Sequence, residues 1–171
     1  TVVSNLRFNM AISLPQDKEI AANLLALSLS SALIIFVFLV FAVLFSPISL
    51  SKIIGQPQFV PYEWMIPFGV IFAAGYQALQ YWASRNHRFD LVAKTHITRA
   101  IGGSGSQLSL GAYGFGSFGL LIGHFVHSGL GVVSLMRDLL RKDREAMTSV
   151  TLTTMRRTLL SYKQFPIYSV P

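Results

Sequence analysis

The chain has 171 residues, 52% of them hydrophobic and only 12% charged, with a mean hydropathy of +0.53. Soluble domains carry roughly 25% charged residues, so this composition excludes an ordinary soluble domain. Fourteen Lys and Arg against seven Asp and Glu leave a net charge of +7, and the absence of cysteine removes disulfides, thiolate zinc sites and cysteine nucleophiles.

The first predicted element is announced by Pro15-Gln16-Asp17-Lys18-Glu19, where Asp17 can cap a helix and both carboxylates suit the positive end of its dipole. Residues 20–51 then contain no Asp, Glu, Lys or Arg, and Ala32 to Phe45 is almost wholly aliphatic and aromatic. A membrane span needs about 20 apolar residues, so helix A is predicted over 20–46. Pro47, Pro57 and Pro61 mark the following stretch as a loop. Helix B, 63–84, is free of charge from Trp64 to Ser84, with Tyr62 and Trp64 at one end and Tyr81 and Trp82 at the other, as interfacial aromatic belts require. The stretch from Ala100 to Met136 is too long for one upright span, and its glycines between Gly111 and Gly116 predict a break. Helix C is therefore placed at 90–112 and helix D at 116–137, with 138–171 as a basic cytoplasmic segment. The polar, glycine-rich part of helix C, Gly102 to Ser109, should face protein or a water-filled cavity.

Charge supports four spans. Arg7 and Lys18 precede helix A; Arg85, Arg88, Lys94 and Arg99 follow B and enter the start of C; and Arg137, Arg141, Lys142, Arg144, Arg156, Arg157 and Lys163 lie at the end of D and beyond it. Only Lys52, in the A/B loop, falls on the opposite side. Cytoplasmic loops attract Lys and Arg. The fold class read from the sequence is thus an all-α membrane protein, a four-helix transmembrane bundle with both ends cytoplasmic.

Chemistry is sparse. No Asp or Glu falls within the apolar body of a span, so paired carboxylates for acid–base work are missing, and neither catalytic residues nor a cofactor are predicted. His124 and His127 share a helix face, yet no further ligand accompanies them in sequence, so hydrogen bonding to a neighbouring helix or lining of a polar cavity is the preferred reading over a metal site. His87 and His96, among basic residues, are read as head-group contacts. The glycines at 102, 103, 105, 111, 114, 116, 119 and 123 lack the Lys-Ser/Thr that follows a phosphate loop, and Gly119 and Gly123 form a small-xxx-small pair suited to close helix packing.

The basic cluster after helix B is the clearest functional signal. It orients the chain and attracts anionic phospholipids. Arg99, nearest the hydrocarbon, is also the first choice for an anionic substrate group such as phosphate, whose oxygens match the donor fork of arginine. Nucleic acid is excluded as a partner because the aromatic residues sit in spans rather than beside these charges.

Five phrases follow one another along the chain: Leu6-Arg-Phe-Asn-Met-Ala-Ile-Ser-Leu-Pro15 with Asp17-Lys-Glu-Ile-Ala-Ala-Asn-Leu-Leu25; Tyr76-Gln-Ala-Leu-Gln-Tyr-Trp-Ala-Ser-Arg-Asn-His-Arg-Phe89; Ala93-Lys-Thr-His-Ile-Thr-Arg-Ala100; Gln107-Leu-Ser-Leu-Gly111; and Tyr162-Lys-Gln-Phe-Pro-Ile-Tyr-Ser-Val-Pro171. In this order and spacing they resemble bacterial polysaccharide biosynthesis proteins of the oligosaccharide flippase type. One departure is Asn9, where the family carries an acid. The resemblance implies an inner-membrane, multi-pass translocase of about twelve helices in two bundles. It would carry lipid-linked oligosaccharide, as in lipopolysaccharide assembly, between leaflets without covalent chemistry, with helices A to D as the third to sixth. The chain then reads as a piece of a longer protein. Arg99, Arg85 and Arg88 would meet the substrate's phosphates, with Arg7 as a weaker candidate, and Gln77, Gln80 and Gln107 its sugar hydroxyls. A membrane-embedded glycosyl- or phosphotransferase of the same pathway, or a non-catalytic membrane scaffold, are the alternatives.

Overall fold

The computed structural model describes residues 12, 17–45, 55, 57–148, 150–151, 154–155 and 158. Among these the regular structure is helical. Helix α1 spans Lys18–Phe45, starting where Ala21 N–H donates to the Asp17 carbonyl and Glu19 lies in the first turn. Its 28 residues extend about 42 Å, more than a bilayer's hydrocarbon core. Within the stretch read as a loop, Pro57–Tyr62 forms a 3-10 turn. Helix α2 occupies Met65–Arg85, beginning two residues later than the sequence pattern suggested. Pro67 is tolerated in its first turn, where a backbone N–H would have no helical partner.

Tight turns set the antiparallel order of the remaining helices. At the end of α2, Arg88 N–H bonds to the Ala83 carbonyl at 2.9 Å and His87 N–H to the Ser84 carbonyl at 3.0 Å, the paired pattern that closes a helix with a left-handed residue. That residue is His87, with φ +55°, a position normally taken by glycine. Helix α3, Phe89–Ala112, ends the same way: Phe115 N–H reaches the Leu110 carbonyl and Gly114 N–H the Gly111 carbonyl, with Gly114 at φ +83°. The expected break between helices C and D is therefore the three-residue turn 113–115. Helix α4 covers Gly116–Lys142, running a turn past the expected end at 137, and the short α5 covers Arg144–Thr148.

In space, α1 packs on α2, α2 on α4 and α4 on α3, while α2 and α3 touch little despite being consecutive. The buried cluster lies at one end, where the start of α1 (Ala21, Ala22, Leu24, Leu25), the end of α2 (Ala78, Leu79, Trp82, Ala83) and the end of α4 (Leu135, Leu139) meet. Leu91 and Val92, at the start of α3, pack against it. Asn23 is buried there with both ends of its amide used, Nδ2 donating to the Glu19 carbonyl and Oδ1 accepting from Thr154 Oγ1 at 2.9 Å. Thr154 thereby ties the segment beyond α5 back onto α1. The far half of α1 has no such cover: Ile34, Phe38 and Leu44 are about 70% exposed. By length and composition, α1 and α4 are the two described helices apolar enough to cross a membrane.

Candidate functional site

The site is organised by the seam between α3 and α4, the most extensive helix contact among the described residues. A side chain at Gly119 would meet Leu110 Cβ at 2.9 Å, and one at Gly123 would overlap Gln107. One at Gly103 would meet His127 Cβ at 2.7 Å, and one at Gly131 would meet Arg99 Cδ at 2.6 Å. Positions 119, 123, 127 and 131 thus form one stripe of α4 and meet 110, 107, 103 and 99 in antiparallel order. Each large residue faces a glycine: Leu110, Gln107 and Arg99 lie on glycines of α4, and His127 lies on a glycine of α3. This alternation brings the two backbones together, as small-residue packing in membranes requires. The hydroxyls of α3 turn inward to its own backbone: Thr98 to Lys94, Ser106 to Gly102 and Ser109 to Gly105 carbonyls, at 2.6–2.9 Å. Three hydroxyls of this serine- and threonine-containing helix are thereby satisfied without water.

Arg99 is gripped at this seam. Its Nε donates to the His127 carbonyl at 2.9 Å, and His127 Nδ1 lies 3.0 Å from the Arg99 carbonyl, a reciprocal pair across the helices. The guanidinium carbon stands 3.6 Å over the Tyr76 ring of α2, a close cation–π contact. Tyr76 is buried, and its hydroxyl lies 3.5 Å from both Thr95 Oγ1 and His96 Nε2. His96 Nε2 is in turn 3.4 Å from Gln80 Nε2. A polar chain therefore runs from Gln80 through His96 and Tyr76 to Arg99, joining α2 and α3, and the His127 carbonyl carries it on to α4. Among the described residues no carboxylate pairs with Arg99, so its terminal nitrogens keep donor capacity for an anion.

Arg88 has a different environment. Its Nη1 lies 2.6 Å from Asp138 Oδ2 and 2.7 Å from Asp143 Oδ2, with all three side chains less than 20% exposed. Burial works against its charge, but the hydrogen bonds and charges of Asp143 and Asp138 outweigh it and hold the guanidinium above its ordinary value. Trp82 Nε1 donates to Asp143 at 3.0 Å, and Lys142 reaches the other oxygen of Asp138. Arg88 thus clamps the α2–α3 turn to the end of α4. Arg85 is half-buried at the end of α2, three residues from this clamp. Arg7 lies outside the described residues, so the structure brings Arg85, Arg88 and Arg99 to one half of the bundle without gathering them into one cluster.

The histidine at 127 bonds a neighbouring helix, the preferred sequence reading, and its ring stacks near-parallel to that of His124 at 6.5 Å. Among the described residues no group of three or more His, Cys, Asp or Glu is placed to hold a metal ion. Tyr76 and Gly131 escaped the sequence reading as parts of the site, whereas Gly103 was named there among the glycines. The signal for Gly131 was its four-residue register with 119 and 123, with His127 filling the gap.

A family model described as polysaccharide biosynthesis protein matches residues 7–162, most of the chain. No curated protein and no solved structure gives a significant match.

Proposed function

The chain belongs to the polysaccharide biosynthesis protein family, and on that premise we propose that it is part of a translocase moving lipid-linked oligosaccharide across the bacterial inner membrane. The observation that carries this reading is Arg99, a cation held by a carbonyl and an aromatic face at a glycine-packed helix seam, with no carboxylate among the described residues to neutralise it. An intramembrane charge is costly and is retained where it meets a ligand or partner. A diphosphate-linked lipid supplies the matching anion, and arginine's fork of donors binds its oxygens in pairs. Arg99 is the principal phosphate contact in this proposal. Arg85 and Arg7 are secondary contacts, and Arg88 ranks below them because its guanidinium is already engaged by two carboxylates.

The topology proposed is four spans with both ends cytoplasmic. The starts of α1 and α3 and the ends of α2 and α4 gather at one end of the bundle together with Lys18, Arg85, Arg88, Lys94, Arg141 and Lys142, which supports placing that end at the cytoplasm beside anionic phospholipids. Movement of the substrate is proposed to need no covalent step. The test is replacement of Arg99 by Ala in the full-length protein, with surface polysaccharide and protein level followed together. Export should fall at least about tenfold, the effect of losing roughly 1.4 kcal/mol of a charge-assisted contact. Unchanged export at unchanged expression would remove Arg99 from the site.

A further inference from the structure

Towards the end of α4 the buried residues Gly131, Leu135 and Leu139 recur every four positions and face the core. The opposite face carries Val133, Arg137, Leu140 and Arg141, all exposed, with the two apolar side chains 66% and 55% open. Together with Val132 and Met136, which pack on the core at its edge, these residues line a groove of about 480 Å³. The groove runs about 14 Å along the helix, from Val132 to Arg141, and passes from apolar to basic. Arg141 also borders a second depression of about 440 Å³, shared with Lys142, Arg144, Glu145 and Thr148. The neighbouring acids do not neutralise these arginines: Asp138 and Asp143 are turned inward onto Arg88, and Lys142 takes the other oxygen of Asp138. Among the described residues Arg137, Arg141 and Arg144 form no ion pair, and neither does Glu145. The mixed stretch from Arg137 to Glu145 is thus sorted into an inner face where charge cancels and an outer face that stays positive.

We infer that this groove binds one resident acidic phospholipid of the phosphatidylglycerol type, its phosphate on Arg137 and Arg141 and an acyl chain along Val133, Met136 and Leu140. The inference rests on the proposed placement of this end of the bundle at the cytoplasmic membrane surface, and is independent of what the protein translocates. A phospholipid presents an anion and a hydrocarbon chain in the order in which the groove presents its arginines and its apolar wall. A soluble anion would meet the arginines but leave Val133 and Leu140 in water, and a choline lipid would bring a cation to the same arginines. The donor forks of the two arginines match phosphate oxygens, and basic pockets at the cytoplasmic ends of helices suit such headgroups. Across Arg141, Glu145 and Thr148 offer acceptors for the hydroxyls of a glycerol headgroup. The Glu145 carboxylate also opposes a second negative charge, which favours a singly charged lipid.

The experiment titrates the intact protein, in neutral detergent, with phosphatidylglycerol or with phosphatidylcholine of the same chains, and counts bound lipid by native mass spectrometry. Wild type should hold its first phosphatidylglycerol about tenfold more tightly than phosphatidylcholine. Arg137→Gln combined with Arg141→Gln should bring that preference close to one. Arg141→Gln alone should lower it about threefold, and it decides the matter if the double variant does not fold. Lys18→Gln combined with Lys94→Gln removes the same charge from exposed positions at the same end of the bundle and should keep the preference, which separates a site from net charge. Arg99→Ala should keep it too, since the lipid and the translocated substrate are held by different arginines. Equal binding of the two lipids by wild type overturns the site. So does a preference that survives the arginine variants, as when another helix covers this face, or one that falls as far in the lysine variant. Each of these outcomes leaves the translocase reading standing, because that reading is tested by export through Arg99.

Discussion

Gly123→Ala is the most direct probe of the α3/α4 seam. The added methyl would overlap Gln107 Cγ and lie 3.1 Å from both Gln107 Cδ and the Gln107 backbone nitrogen. Rotation of the glutamine relieves only part of this, because the backbone nitrogen moves only with α3 itself. Overpacking of this kind costs about 1–3 kcal/mol, against which the better helix propensity of alanine returns about 1 kcal/mol. Because both a side-chain carbon and a backbone nitrogen are met, the cost falls in the upper half of that range, about 2–3 kcal/mol, and the net expectation is a loss of about 1–2 kcal/mol. Gly129, six residues along the same helix, has open space around its missing side chain, so Gly129→Ala should gain up to about 1 kcal/mol from propensity alone. Gln107→Ala combined with Gly123→Ala removes the overlapping atoms and should recover most of the loss, giving a coupling of about 1 kcal/mol or more in the double-mutant cycle. Thermal unfolding of the intact protein in mild detergent, followed by the fluorescence of Trp64 and Trp82, reads all four variants. A Gly123→Ala protein as stable as wild type, or one that Gln107→Ala fails to rescue, would refute the seam.

Arg88→Ala leaves Asp138 and Asp143 facing each other without their shared cation, and should cost about 2–4 kcal/mol, less than a fully buried pair because the groups retain some solvent. Arg88→Lys should lose about half as much, since a lysine restores the charge but not the fork; the thermal midpoints of the two variants check the order. His87→Gly should stabilise the protein by about 0.5–1 kcal/mol by relieving the left-handed backbone at φ +55°, read as a higher midpoint in chemical denaturation. The chain holds no cysteine, so single cysteines at His87 and Tyr113, exposed residues in the α2–α3 and α3–α4 turns, report topology cleanly. A membrane-impermeant thiol reagent should reach position 113 from outside intact cells and position 87 only after the inner face is opened; labelling of both from outside would sink the four-span arrangement.

Much of the helical framework was readable in the sequence because the bilayer-type pattern is local. Ala32 to Phe45 is apolar on every side, Pro15 to Glu19 announces a helix start, and Gly114 marks a turn, all within a few residues of chain. The helix ends shifted where no local sequence signal decided them. Helix α4 continues past Arg137 to Lys142 because Asp138 and Asp143 are held by Arg88, some fifty residues earlier in the chain. The left-handed turn at His87 carries no glycine to announce it and is fixed by its two backbone hydrogen bonds.

By itself the sequence determined a helical chain of membrane-type composition and family membership, and it singled out Arg99 among fourteen basic residues. These follow from composition, local periodicity and the spacing of motifs, none of which needs a distant contact. Tertiary structure alone decided that Arg88 is a structural clamp between two carboxylates, that Arg99 rests on Tyr76 and His127, and that Gln77 and Gln80 line one cavity while Gln107 packs on Gly123. The physical reason is the antiparallel register of α3 and α4: it sets which large residue falls on which glycine, and so which side chains are left with donors and acceptors to spare.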